Sequence, residues 1–367
     1  MLLKNKLNIR YFDYLLLALF LLLSIIGIFI IYSATFNPGS KVSVFYIKQI
    51  YWLILGLIIF ICFSLINYRY LINYAYIFYV VGLLVLAFVL INGYIGRGAQ
   101  SWIDLGLIRV QPSELFKVIW VIVLARLFSD FNLQKLGLIK IIIRFLVVLP
   151  PFLLIFYQPD LGTAGLLVLL WCVLLLFRGI QFRAFLILSI FSFCLVVVLW
   201  ANLHDYQRDR VLTFINPSRD PFGSGYHLIQ SKVAIGSGGL YGKGYLKGTQ
   251  SQLNFLPEQH TDFVFSVLSE EFGFVGALFL IVLYMLLIIR ILYIALIARE
   301  ICGKLLCVGV ATLLFIHFYI NAAMTIGYMP IVGIPMPFIS YGGSITITAS
   351  TLLGIANSVS IRRFQKL

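Results

Sequence analysis

The sequence predicts an all-α polytopic membrane protein of about ten transmembrane helices, and three observations carry that reading. The 367 residues are 62% hydrophobic and only 11% charged, against about 45–50% apolar and about 25% charged in an ordinary soluble domain, so a water-soluble fold is excluded. The apolar runs are continuous and about 20 residues long, the length of a helix across hydrocarbon, whereas barrel strands would alternate over about 10 residues. The third observation is charge placement. Basic residues outnumber acidic ones 27 to 13, which in a soluble chain would raise nucleic acid as a partner. Here they fill every second connection, starting with Lys4, Lys6 and Arg10 and recurring at Arg69, Arg126, Lys135, Lys140, Arg144, Arg178, Arg183, Arg290, Arg299, Lys304, Arg362, Arg363 and Lys366. That is the positive-inside pattern; it places both termini in the cytoplasm and leaves no reason to invoke nucleic acid.

In chain order, windowed hydrophobicity places spans at Tyr14–Ser33, Tyr46–Ile66, Leu71–Asn92, Pro112–Phe128, Ile139–Tyr157, Gly162–Phe177, Phe182–Leu203, Phe263–Leu292, Leu305–Tyr328 and Ser340–Val359. The first follows a basic segment as a secretory signal does, but it is too long for such a signal's apolar region and no A-x-A site follows, so it reads as an uncleaved span. The connections are short except one. Residues 204–262 form a long extracytoplasmic loop, far beyond the usual 2–8 residues between packed helices, in which Leu228–Ile235 has the mixed pattern of a surface helix. With no repeat and no low-complexity linker, residues 1–367 read as a single membrane domain. The five cysteines form no C-x-x-C pair, and suggest neither zinc nor a disulfide framework.

Most acids fall on the outer face, and carboxylate chemistry is expected there. Glu114 and Lys117 stand three apart at the start of the fourth span, on one helix face. Glu114 suits a helix start, but Lys117 lies inside the span, where an ionisable group is costly unless it faces protein or a wet cavity. Asp160, before Gly162, suits both an N-cap and a site residue. Trp102 and Gln111 flank an outer loop whose Arg97, Asp104 and Arg109 would sit at headgroup level. The segment Leu256-Pro257-Glu258-Gln259-His260-Thr261-Asp262 brings two carboxylates and a histidine to the outer interface; helix capping explains it as well as catalysis does. Its spacing matches no usual metal motif.

The run Gly236–Gly248 holds six glycines. It fails the P-loop test, since Ser237 and Gly244 stand where Gly and Ser or Thr are needed, and Tyr241 breaks the dinucleotide spacing. Either an anion-approaching backbone beside Lys243 and Lys247 or plain turn glycines fit it. With Arg208, Arg210 and Lys232, these lysines make the outer mouth attractive to phosphate or pyrophosphate.

The runs GRGAQSWIDLGLIRVQPSELFK, QPDLGTA, HDYQRDRVLTFINPSRDPFGSGYHLIQSKVAIGSGGLYGKG, GTQSQLNFLPEQHTDFVFSVLSEEFG and PFISYGGS together resemble the SEDS (RodA/FtsW) family over nearly the whole chain. GSGGLYGKG and GTQS look more like the elongation branch than the division branch. The resemblance implies ten transmembrane helices and a peptidoglycan glycosyltransferase that polymerises lipid II on the outer face of the bacterial cytoplasmic membrane. It implies Asp262 as the essential outer-loop carboxylate and Glu114 and Lys117 as the polar pair. Trp102, Gln111, Asp160, Arg210 and Lys243 match its motif positions. Expected partners are lipid II and undecaprenyl-pyrophosphate-linked glycan, a class B penicillin-binding protein and other elongation-complex proteins. No cofactor is required by the sequence; a divalent cation, magnesium or manganese, would suit pyrophosphate without any ligand cluster compelling it. The competing reading is a flippase for lipid-linked precursor, which predicts charges through both leaflets and an internal repeat, neither of which this chain has. An inactive scaffold leaves Lys117 unexplained, and a ligase acting on another acceptor differs only by the resemblance.

Overall fold

The computed structural model describes residues 11–36, 44–96, 99–104, 106, 109–129, 142, 144–179, 186–187, 205–220, 223–253, 255–256 and 258–364. Helices α1 (Tyr14–Ala34) and α2 (Val44–Leu65) follow the first two expected spans. Asp13 caps α1, its carboxylate accepting from the Leu16 amide at 3.0 Å. The third expected span is broken at Tyr74 into α3 (Tyr68–Asn73) and α4 (Ala75–Asn92). An antiparallel meander follows, β1 (Tyr94–Gly96), β2 (Ala99–Asp104) and β3 (Arg109–Val110). Its far end is closed by Asp104, which accepts from the Gly106 amide and Arg109 Nε at 2.8 and 3.0 Å, contacts that hold this exposed carboxyl below its usual range. This is the one sheet among the described residues, and β1 and β3, of three and two residues, are too short to signal in the sequence.

Next come α5 (Pro112–Ser129), α6 (Leu149–Tyr157) and α7 (Leu161–Phe177). The beginning of the fifth expected span, from Ile139, and nearly all of the seventh, Phe182–Leu203, lie outside the described residues. About half of the long loop of residues 204–262 is helical: α8 (Asp205–Ile215), α9 (Ser224–Ser237) and α10 (Thr249–Gln252). Three long helices complete the chain, α11 (Val264–Ile297), α12 (Ile301–Ile326) and α13 (Gly343–Ile361). Six described helices, α1, α2, α4, α11, α12 and α13, are long and apolar enough to cross a membrane. Helix α5 is as long as α4 but carries three charges, Glu114, Lys117 and Arg126.

The core is built around α12, α5 and α13. Helix α13 is almost wholly buried although it is rich in Ser, Thr and Gly; small side chains let backbones approach, the usual means of helix packing in lipid. A methyl group on Gly56 of α2 would lie 2.6 Å from Ser350 Oγ, and one on Gly354 would lie 2.7 Å from the Phe60 carbonyl oxygen. Helices α2 and α4 present Ile54, Ile58, Val80, Leu84 and Phe88 outward, as lipid-facing helices do.

Helix α9 lies against α11 and α12. It buries Leu228 and Ala234 while Ile229 and Val233 stay exposed, so the surface helix expected at Leu228–Ile235 is longer and half covered by the bundle. Helix α11 is interrupted at Gly273, whose φ of 65° lies in the left-handed region. The glycine-rich segment closes that break. The Lys243 and Gly244 amides donate to the Glu270 and Glu271 carbonyls at 3.0 and 2.9 Å, and the Phe274 and Val275 amides donate to Gly239 and Leu240 at 2.9 and 3.1 Å. The turn glycines thus serve a helix break, and these amides are spent on protein carbonyls.

Candidate active site

Pro112 opens α5 and removes a donor that the first helical turn cannot use, and Glu114 in that turn complements the helix N-terminus. Three residues on, Lys117 Nζ reaches Glu114 Oε1 at 2.5 Å. Lys117 is fully buried and Glu114 nearly so. From α12, His317 Nε2 approaches Lys117 Nζ at 3.1 Å, while its Nδ1 lies 3.2 Å from the Pro335 carbonyl oxygen. The buried Lys117 side chain therefore has both a carboxylate partner and an imidazole partner. Glu114 Oε2 is buried with no hydrogen-bond partner among the described residues, and a buried acceptor in that state marks a place for a donor from elsewhere.

Asp262 ends a tight turn in which the Thr261 and Asp262 amides donate to the Glu258 carbonyl at 3.0 and 3.1 Å. The turn is gripped by the connection from α12 to α13. Ser340 Oγ donates to the Thr261 carbonyl at 2.6 Å, and the Tyr341 amide donates to that of His260 at 2.8 Å. Asn321, one helical turn beyond His317, donates through Nδ2 to both the Asp262 and Ile334 carbonyls, at 3.1 and 2.8 Å. A methyl group on Gly333 would lie 3.5 Å from Asp262 Oδ2, so the half-buried Asp262 carboxylate faces this connection. One face of α12 therefore binds the successive carbonyls of residues 334 and 335 and links the Asp262 turn to the Lys117 cluster.

Asp160 does both things its position allowed. Oδ1 caps α7, accepting from the Thr163 amide at 3.0 Å, and Oδ2 accepts from Gln111 Nε2 at 3.2 Å. The Gln111 amide in turn donates to Ser344 Oγ at 3.1 Å, so Gln111, Asp160 and the PFISYGGS segment meet at the mouth of α5. Trp102 is half-buried on β2, in register with Tyr94. Arg210, on α8, lines a shallow pocket with Thr213, Phe214, Leu228 and Ile331; Ile331 stands two residues from Gly333. Lys243 is elsewhere. Its ammonium donates to Glu270 Oε1 at 2.8 Å and to Thr249 Oγ1 at 2.7 Å, because the fully buried Glu270 carboxylate needs a counter-charge.

Sequence reasoning passed over His317, Asn321 and Ser344. A single histidine in an apolar helix carries no signal; only the i, i+4 spacing of His317 and Asn321, which puts both on one helix face, would have pointed to them. Among the described residues, no group of three or more His, Cys, Asp or Glu is gathered to hold a metal ion.

The FtsW/RodA/SpoVE family profile, described as cell cycle protein, matches residues 13–365. The peptidoglycan glycosyltransferase MrdB of Escherichia coli K12 is 42% identical over 317 residues, covering 86% of this chain and 85% of its own. A solved structure described as the structural coordination of polymerization and crosslinking by a peptidoglycan synthase complex superposes with a TM-score of 0.81 at 31% identity, covering 97% of this chain and 99% of that one. The crystal structure of the rod shape determining protein RodA of Thermus thermophilus gives a TM-score of 0.72 at 30% identity, covering 97% and 98%.

Proposed function

This chain belongs to the FtsW/RodA/SpoVE family and is a multi-pass membrane glycosyltransferase, and from that premise we propose that it polymerises lipid II into β-1,4 glycan strands during cell elongation. The observation that carries the proposal is the link through α12 from a buried, ion-paired lysine to an outer-face aspartate. It supplies the two things this transfer needs at the two ends of one scaffold: a base, and a cation for pyrophosphate.

An α-linked sugar pyrophosphate that ends in a β linkage is inverted at the anomeric carbon, so a single displacement suffices. The acceptor's 4-hydroxyl oxygen bonds to that carbon, the bond from carbon to pyrophosphate oxygen breaks, and the hydroxyl proton passes to the Asp262 carboxylate as general base. A glycosidase needs a second carboxyl group to protonate a poor leaving alkoxide. Here undecaprenyl pyrophosphate leaves as an anion, and cations aimed at the developing charge replace the acid. Lys117 and Arg210 serve that end, Glu114 orients Lys117, and Gln111, Asp160 and Trp102 shape the mouth. Lys243, held by Glu270, is assigned to structure. Among the described residues, no cluster of His, Cys, Asp or Glu fits a resident magnesium or manganese ion.

The basic connections put both termini in the cytoplasm and Asp262 on the exterior face. A class B penicillin-binding protein, whose transpeptidase crosslinks the new strands, is the proposed partner, in keeping with the synthase complex among the similar structures. The test is polymerisation of labelled lipid II by the purified protein with that partner, resolved on a gel. Wild type should give a glycan ladder and Asp262→Asn none. Polymer from Asp262→Asn would remove the base assignment. No polymer from either, with lipid II crossing vesicle membranes, would favour the flippase.

A further inference from the structure

We propose that His317 is a positioning residue, an uncharged clamp that fixes the Lys117 ammonium relative to the outer connection carrying the Asp262 turn. The inference rests on the glycosyltransferase reading and adds a residue to it. Lys117 Nζ can only donate, so at 3.1 Å His317 Nε2 must accept. The imidazole's proton is then on Nδ1, where the Pro335 carbonyl accepts it at 3.2 Å. Both ends of the ring are thereby satisfied by one tautomer. The carbonyl that fixes the tautomer belongs to the connection that Asn321 ties to Asp262.

The chemistry favours a neutral acceptor at this point. Glu114 already balances the Lys117 charge at 2.5 Å; a second carboxylate would leave a net negative charge where pyrophosphate is to bind. An imidazole directs the ammonium without cancelling it. Glu114 Oε2, left without a partner in the described structure, stays available to a hydroxyl or amide of the substrate. A displacement of about 1 Å in such a group can cost on the order of a hundredfold in rate, so losing the clamp should be felt in turnover more than in folding.

The test compares His317→Leu, His317→Gln and His317→Asn in the full-length protein with its partner. Gln places an oxygen near the Nε2 position, so it keeps the acceptor that directs Lys117 and gives up only the bond to the Pro335 carbonyl, and it should keep activity within about threefold of wild type. Leu removes both contacts, and Asn is too short to reach Lys117; each should lower turnover by about tenfold or more, with a smaller change in KM, a split that loss of positioning predicts. If Leu fails to fold, the contrast between Gln and Asn decides. Leu or Asn turning over within twofold of wild type, or Gln losing as much as Asn, would overturn the proposal. A second readout does not depend on catalysis. Lys117 modification by an amine-directed reagent, followed by mass spectrometry, should be faster in His317→Asn than in wild type and near wild type in His317→Gln; equal rates in all three would overturn the clamp. Wild type inactive on lipid II would count against the glycan-polymerase reading alone, since the labelling contrast would still judge His317.

Discussion

At the scale of single residues, the buried Lys117 and Glu114 form a pair whose removal is costly in only one way. Breaking it with Glu114→Leu leaves a fully buried ammonium without its counter-charge, a loss of about 3–5 kcal/mol. The double substitution Glu114→Leu with Lys117→Met replaces both charges by apolar groups and should recover most of that stability while giving no glycan polymer. Thermal unfolding in detergent beside the lipid II gel separates the two effects, and a stable, active double variant would remove the pair from the site. Lys243 is expected to behave in the opposite sense. Lys243→Met leaves the Glu270 carboxylate, which is 0% exposed, with its hydrogen bonds from Thr249, Gln250 and Ser251 but without its counter-charge, so stability should fall by about 3 kcal/mol at most while KM for lipid II is unchanged. A raised KM in a protein of unchanged stability would return Lys243 to the substrate. The sequence showed Glu114 and Lys117 as a pair because helical spacing is local. It could not show that Lys243 meets Glu270, 27 residues away, because only the folded loop brings them together.

Among the elements, α11 differs most from what its apolar pattern suggests. Hydropathy sees one long run, yet the helix is broken at Gly273 and the break is closed by residues 239–244. A methyl group at Gly273 would lie 2.3 Å from the Gly242 nitrogen, besides straining a positive φ. Gly273→Ala should therefore undock the glycine-rich segment, and hydrogen exchange at the Lys243 and Gly244 amides should accelerate well beyond that of amides in α12. Unchanged protection would mean the break tolerates a side chain. The position of this break was not legible, because a glycine in an apolar run is read as a packing residue unless its partner is known. The capping role of Asp160 was legible, being set by the next three residues, but its bond to Gln111 joins residues 49 apart in the chain and was not.

Over the whole molecule, the class of fold was readable because lipid imposes the same demand on every span: continuous apolar length with its hydrogen bonds satisfied within the helix. Where polar residues lie inside, as along α13, the sequence says only that they are present, and the partner helix decides whether they are covered. The proposed orientation has a direct test. With the five native cysteines replaced, Tyr241→Cys, at a site 82% exposed, should react with a membrane-impermeant maleimide on intact cells, and Arg299→Cys only after permeabilisation; the reverse pattern would invert the topology. The break in α11 also sets how the protein sits in its lipid. Its 34 residues would extend about 51 Å if straight, against hydrocarbon about 30 Å thick. From residue 274 to 297 the helix measures about 36 Å, which a modest tilt fits to the bilayer. The interruption thus spares the bilayer an overlong rod: one arm alone has about the length that hydrocarbon needs, while Glu270 and Glu271 on the other arm are buried against protein.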